Sequence, residues 1–128
     1  MKVLLDTHAF LWAVNDDRRL SAPARRIFTA ADNEMLLSVA SVWEILVKVE
    51  AGKLPFPQPA SSYIRSQLRK TSTAVLPLLL SHALQLETMP LHHRDPFDRM
   101  ILAQAIDEDL PVVSADAKFR MYPVEVLW

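Results

Sequence analysis

The chain has 128 residues, 51% of them hydrophobic and 23% charged, with a net charge of −1 and no cysteine. That length supports one domain with a substantial core. The near-neutral charge gives no global pull toward nucleic acid or acidic membranes, so a nucleic-acid partner must be held by a local basic patch or by metal ions. The lack of cysteine removes disulfides, thiolate zinc sites and cysteine nucleophiles together, and is compatible with a reducing cytoplasm, the expected location. The N-terminal apolar run turns acidic at Asp6, too early for a signal peptide. The longest apolar run, 74–80, is broken by Pro77 and falls well short of the roughly 18 residues that span a bilayer. The expectation is a soluble protein with no membrane partner.

Residues 2–5 read as a short buried strand, and Thr7 as the cap of a helix over 8–14. Ser21 caps a second helix to about residue 31, with Pro23 tolerated in its first turn. A second strand over 34–38 precedes Ser41-Val-Trp-Glu44, which reads as a capping box opening a third helix. Val42, Ile45, Leu46 and Val49 then fall on one helical face, and Gly52, the only glycine, is placed to end the helix. The proline-rich stretch 54–59 cannot be helical; a helix over 60–70 and a strand over 74–76 follow. Ser81 is read as the cap of a short helix ending before Pro90.

Asp95 is a good N-cap and Pro96 suits the first position of an apolar helix running to about Glu108. A fourth strand over 111–114, a helical turn from Asp116 through Phe119 and a fifth strand over 124–127 complete the chain. Short apolar strands alternating with helices predict an α/β fold: a parallel sheet of about five strands flanked by helices. Ligand sites in such sheets gather at the carboxyl ends of the strands. Asp6 and Asp116 follow the first and fourth strands, and Glu44 and Asp98 lie in first turns of helices, so four separated acids can meet at one edge.

Each acid also has a structural explanation. Asp6 and Asp116 can start a loop or turn; Glu44 can close a capping box and pair with Lys48 four residues on; Asp98 can favour the helix dipole. Jointly they mean something else. Carboxylates within a few ångströms repel, and a cluster of three or four is costly without a cation but natural around Mg²⁺ or Mn²⁺, which prefer oxygen ligands. Such ions activate water, bind a phosphate oxygen and stabilise the charge that develops in phosphodiester cleavage.

Four motifs occur in order: Leu4-Leu5-Asp6-Thr7-His8, Ser38-Val-Ala-Ser-Val-Trp-Glu44-Ile45, Asp95-Pro-Phe-Asp98-Arg99 with Leu102-Ala-Gln-Ala105, and Ser114-Ala-Asp116-Ala-Lys-Phe119. The sequence resembles the PIN-domain nucleases, in particular the small VapC-like toxins of bacterial type II toxin–antitoxin pairs, over essentially its whole length. The resemblance implies a single PIN-like domain over 1–128 with a three-layer sandwich, and Asp6, Glu44, Asp98 and Asp116 as metal ligands and catalytic residues. It further implies Mg²⁺ or Mn²⁺ as cofactor, RNA as substrate, a VapB-like antitoxin as partner, and a homodimer. Ser114 stands where the family often has threonine and keeps a hydroxyl; Thr7 or Ser114 can hydrogen-bond a ligand or water. Asp95 reads first as a cap and second as an outer ligand, whereas Arg99 either holds a substrate phosphate or pairs with Asp95.

The histidines include no HExxH pair, which argues against a zinc hydrolase. His92-His93-Arg94 reads first as a polar loop and second as an RNA contact, and Arg18-Arg19 and Arg25-Arg26 as solvated surface or a phosphate track. Trp12 and Trp43 read as core or interface residues rather than stacking platforms. Two competing functions remain: a phosphotransferase or phosphatase with Asp6 as nucleophile, though position 8 is His where one large phosphatase group has a second Asp, and a non-catalytic interaction module whose acids only cap helices.

Overall fold

The computed structural model describes residues 1–128. Five strands, β1 (Lys2–Leu5), β2 (Glu34–Ser38), β3 (Ala74–Leu76), β4 (Val112–Val113) and β5 (Val126–Leu127), form one sheet in the order β3-β2-β1-β4-β5. All neighbouring pairs are parallel. Six α-helices cover it: α1 (Thr7–Val14), α2 (Ala22–Thr29), α3 (Val39–Glu50), α4 (Ala60–Lys70), α5 (Leu80–Gln85) and α6 (Pro96–Glu108). The predicted α/β architecture is therefore the observed one, with β4 and β5 shorter than the apolar runs suggested.

The central strands are apolar throughout because both faces are buried, and side chains alternate across them. Leu4, Leu36 and Val112 point into a core with Ile101, Leu102, Ala105 and Phe119. Val3, Leu5, Met35, Leu37 and Val113 point into the opposite core with Phe10, Ile45 and Ile64. Thus α6 supports one face of the sheet and α1, α3 and α4 the other. No helix is long and apolar enough to cross a membrane.

Three predicted caps are displaced. Asp6, not Thr7, caps α1 by accepting the Ala9 N–H, because Thr7 lies already inside the helix with its hydroxyl turned to α3. Ser38 caps α3 three residues before the expected start, so Ser41 and Glu44 are buried helix positions and form no capping box. The strand β2 runs into α3 with no intervening loop, which the serine-rich stretch 38–41 concealed. Helix α5 starts at Leu80 with Ser81 inside it; the N–H of Leu79 is satisfied instead by His82 Nδ1 at 3.0 Å. On α3, Ile45 is buried but Leu46 is 39% exposed, so the buried stripe is narrower than the four-residue spacing implied. Gly52 ends that region with φ +71°, a conformation that favours glycine.

Candidate metal centre

The sheet order contains one reversal. The chain leaves β1 to build β2 and β3 on one side, then returns to place β4 and β5 on the other. Connections diverge at the carboxyl ends of β1 and β4, which opens a crevice there. Asp6 emerges from β1 and Ser114 from β4, next to one another because Leu5 pairs with Val113. The Asp6 N–H donates to the Val113 carbonyl at 3.1 Å. Asp6 Oδ1 accepts the Ala9 N–H at 2.6 Å, and Oδ2 accepts a short hydrogen bond from the Ser114 hydroxyl. Ser114 Oγ in turn accepts the Asp116 N–H at 3.1 Å. Asp116 caps the following 3-10 turn through the Lys118 N–H at 2.9 Å. One serine thus links two acids.

Asp95 accepts the N–H groups of Phe97 and Asp98 at 2.9 and 3.0 Å, which fixes the first turn of α6 and with it Asp98. His93 bridges the two halves of the site: its Nε2 lies 3.0 Å from Asp98 Oδ2 and 2.8 Å from Asp116 Oδ2. Its Nδ1 accepts the Asp95 N–H at 3.2 Å, so in the neutral ring Nε2 carries the proton and donates. Donor atoms of His93, Asp98 and Asp116 all lie within 4.8 Å of one another. From α3, Glu44 is only 2% exposed. Its Oε1 accepts the Thr7 hydroxyl at 2.7 Å and its Oε2 the Lys48 ammonium at 2.6 Å. Thr7 Oγ1 also lies 2.9 Å from Ser41 Oγ.

Electrostatics shows how crowded these acids are. The Asp98 carboxyl is pushed up to about 8, first by burial and then by the negative charges of Asp95, Glu44, Asp6 and Asp116. Asp6 is raised as well; burial outweighs the opposing hydrogen bonds from Ser114 and Ala9, and Asp116 adds repulsion. Lys48 is one local cation, and it is already committed to Glu44. A second positive centre would relieve the repulsion. The donors are mostly carboxylate oxygens, which suit a hard divalent ion.

A family model described as PIN domain matches residues 3–125. The chain belongs to the PIN-domain family. Among curated proteins it is 39% identical to Ribonuclease VapC16 of Mycobacterium tuberculosis over 71 residues, covering 56% of this chain and 44% of that protein. It is 27% identical to Ribonuclease VapC22 of the same organism over 121 residues, covering 94% and 91% of the two chains. The fold matches a chain of the DNA-bound VapBC structure from Salmonella typhimurium with a TM-score of 0.70 at 17% identity, covering 98% and 96%. It also matches a chain of VapBC2 from Rickettsia felis, bound to a promoter DNA fragment, with a TM-score of 0.69 at 15% identity and full coverage of both.

In this PIN domain the four acids singled out from the sequence come from four separate elements, and Glu44, Asp6 and Asp116 all act electrostatically on Asp98; of the four, Asp98 and Asp116 share with His93 the set of donor atoms within 4.8 Å. Asp95 caps α6 as expected and contributes charge to Asp98. Arg99 does not pair with Asp95: it turns to the segment before α6, donating to the carbonyls of Pro90 at 3.0 Å and Leu86 at 3.4 Å and to the Tyr122 hydroxyl at 3.3 Å. One residue beyond Asp98 is about 100° further round the helix, away from the acids. Arg19 and Arg25 are engaged with Asp17 and Asp16.

His93 is the residue that the sequence reading missed. It lies in the polar loop expected there, with His92 and Arg94 exposed, but is itself buried: the Tyr122 hydroxyl accepts its N–H at 2.9 Å and that of His92 at 3.0 Å, folding the loop inward. The available signal was its position two residues before the Asp95 cap. Ser114 gives a direct test of how the site is held. Ser114→Ala removes the only hydroxyl linking Asp6 to Asp116, and Mn²⁺ affinity should fall about 10–100-fold, the range for outer-shell partners. Calorimetric titration of Mn²⁺ measures this, and unchanged affinity would show that Asp6 needs no such support.

Proposed function

We propose that this PIN domain is a metal-dependent endoribonuclease that hydrolyses RNA phosphodiester bonds with Mg²⁺ or Mn²⁺, and that it is the toxin of a VapBC-type pair. The observation that carries the reading is that Asp6, Glu44, Asp98 and Asp116 gather at the sheet's reversal, with the Asp98 proton affinity raised first by burial and then by its acidic neighbours. Asp98 makes this more than a set of helix caps. Asp6, Asp95 and Asp116 each cap a helix or turn, whereas the Asp98 carboxylate meets His93, and its crowding is a standing cost unless a cation is held there.

Asp6, Asp98 and Asp116 would hold the ion, with Glu44 completing the site directly or through water. A divalent ion so held supplies water activation and neutralises charge developing on a phosphate. The chain's own residues do the rest. Ser114 and the Ala9 N–H keep Asp6 in place, Thr7 and Lys48 keep Glu44 in place, and His93 holds Asp98 and Asp116 together. An aspartyl-phosphate route through Asp6 fits poorly, because both its oxygens already accept hydrogen bonds that fix the carboxylate in place. The names of the related ribonucleases VapC16 and VapC22 and the VapBC fold neighbours support RNA as substrate and a VapB-like antitoxin as partner. A homodimer is the assembly we expect.

The test is cleavage of total cellular RNA by purified, partner-free protein. Cutting with Mg²⁺ or Mn²⁺ that EDTA abolishes, and that Asp6→Ala lacks, is the expected result. Cutting that survives EDTA would overturn the metal-dependent mechanism.

A further inference from the structure

Beside the acids lies an aromatic surface that this chemistry does not use. His8 and Trp12 stand four residues apart on α1, hence on one side of it, with ring centroids 5.9 Å apart. His8 is exposed and Trp12 half-buried. Together with Asp6, Ala115 and Asp116 they wall an open cavity of about 270 Å³. Two of the four acids therefore share one cavity with two aromatic rings. Trp12 is held firmly: the edge of Trp128 packs against it at 5.8 Å, and the Arg19 guanidinium lies 5.0 Å from its ring centroid. Arg19 is itself anchored by Asp17 at 2.8 and 3.1 Å.

The chemistry of the neighbour decides what fits there. A phosphodiester drawn to Asp6 and Asp116 through a metal ion carries a nucleoside on each side, so a base must lie within one nucleotide of the acids. The carboxylates in the wall repel a second phosphate, whereas a neutral heterocycle gains from a preset aromatic ring and costs little side-chain ordering. Single-stranded RNA is commonly read this way, by bases stacked on Trp and His. Because Asp6 caps the helix that carries both rings, the distance between reacting phosphate and stacked base is set by a single rigid element. We infer that His8 and Trp12 form a nucleobase-stacking shelf for a nucleotide flanking the scissile phosphate. This rests on the metal-nuclease reading above, and it adds a role to Trp12, which also packs against the core as its sequence suggested. Trp43, 58% exposed and edge-on to Phe97 at 4.9 Å, shares no cavity with the acids.

The experiment compares a single-stranded RNA decamer of mixed sequence with an abasic ribose-phosphate decamer of the same length. Binding is followed by tryptophan fluorescence with Ca²⁺ in place of Mg²⁺. Wild-type protein should bind the base-bearing decamer about ten-fold more tightly, with quenched emission. Trp12→Leu should abolish that preference and His8→Ala reduce it. Trp12→Phe should keep most of the preference but lose the quenching, which guards against a folding defect. Trp43→Phe should behave as wild type. The shelf is overturned if wild type does not distinguish the two decamers, or if Trp12→Leu still does; in the latter case the rings are better assigned to contact with a protein partner. A parallel Mn²⁺ titration separates the two readings: Mn²⁺ bound without base preference overturns only the shelf, whereas no Mn²⁺ binding overturns the metal centre and the shelf with it.

Discussion

Asp98→Asn should abolish metal-dependent RNA cleavage while leaving the fold intact. The amide keeps the size of the carboxylate but not its charge, so α6 keeps its Asp95 cap and its buried residues Ile101 to Ala105. What is lost is one of the carboxylates that would hold the ion. Since removing an outer-shell partner alone costs about 10–100-fold, loss of a direct ligand should exceed that range. Initial rates at saturating Mn²⁺, with circular dichroism as the control for folding, measure the effect. A rate within three-fold of wild type would move the ligand role to Asp95 or remove the scheme altogether.

The same residue gives the metal-free protein an unusual dependence on pH. A carboxyl raised from 3.8 to about 8 on folding holds a proton in the native state that the unfolded chain has already released. Between these values the native state binds more protons, so unfolding free energy falls as pH rises. The destabilisation is absent below about pH 4 and complete above about pH 8, and it amounts to a few kcal/mol by the scale of about 1.4 kcal/mol per unit. Asp6 is shifted in the same direction and adds to the slope. Asp17, held down to about 2 chiefly by the side-chain hydrogen bond from Arg19, acts with opposite sign: its contribution is present above about pH 4 and lost as pH falls toward 2, outside this window. In EDTA, the urea midpoint should therefore drop from pH 5 to pH 8, and Asp98→Asn should flatten that drop. Mn²⁺ added at pH 8 should restore the wild type by binding the native state alone, and should do little for the variant. A midpoint that rises with pH in the wild type would show that the acids are not crowded as described.

These two expectations differ in how far the sequence alone could carry them. Periodicity and punctuation were enough for the elements. The apolar runs at 2–5, 34–38 and 74–76, the Asp95-Pro96 start of α6 and the single glycine after α3 all report on local backbone preference, which the chain carries in itself. Strand–helix alternation then implied a parallel sheet, and the carboxyl-end rule pointed to Asp6, Glu44, Asp98 and Asp116 as acids that can meet.

Local signals failed where a side chain had two eligible partners. Thr7 and Ser41 look like caps in sequence, but capping competes with the Thr7–Glu44 contact between α1 and α3, and only packing chooses between them. His93 looks like part of a polar loop until Tyr122, 29 residues away in the chain, pulls that loop inward and places the imidazole between two carboxylates. Trp12 packs against the core as expected, and only the reversal at β1 and β4 also brings it to the wall of the acidic crevice. By itself the sequence determined the elements, the acids and the edge where those acids belong, because helix caps, alternation and strand ends are short-range properties. Only the tertiary structure decided how the acids are held and what lies beside them, because hydrogen bonds and charge repulsion between distant segments depend on distances that exist only once the sheet is assembled.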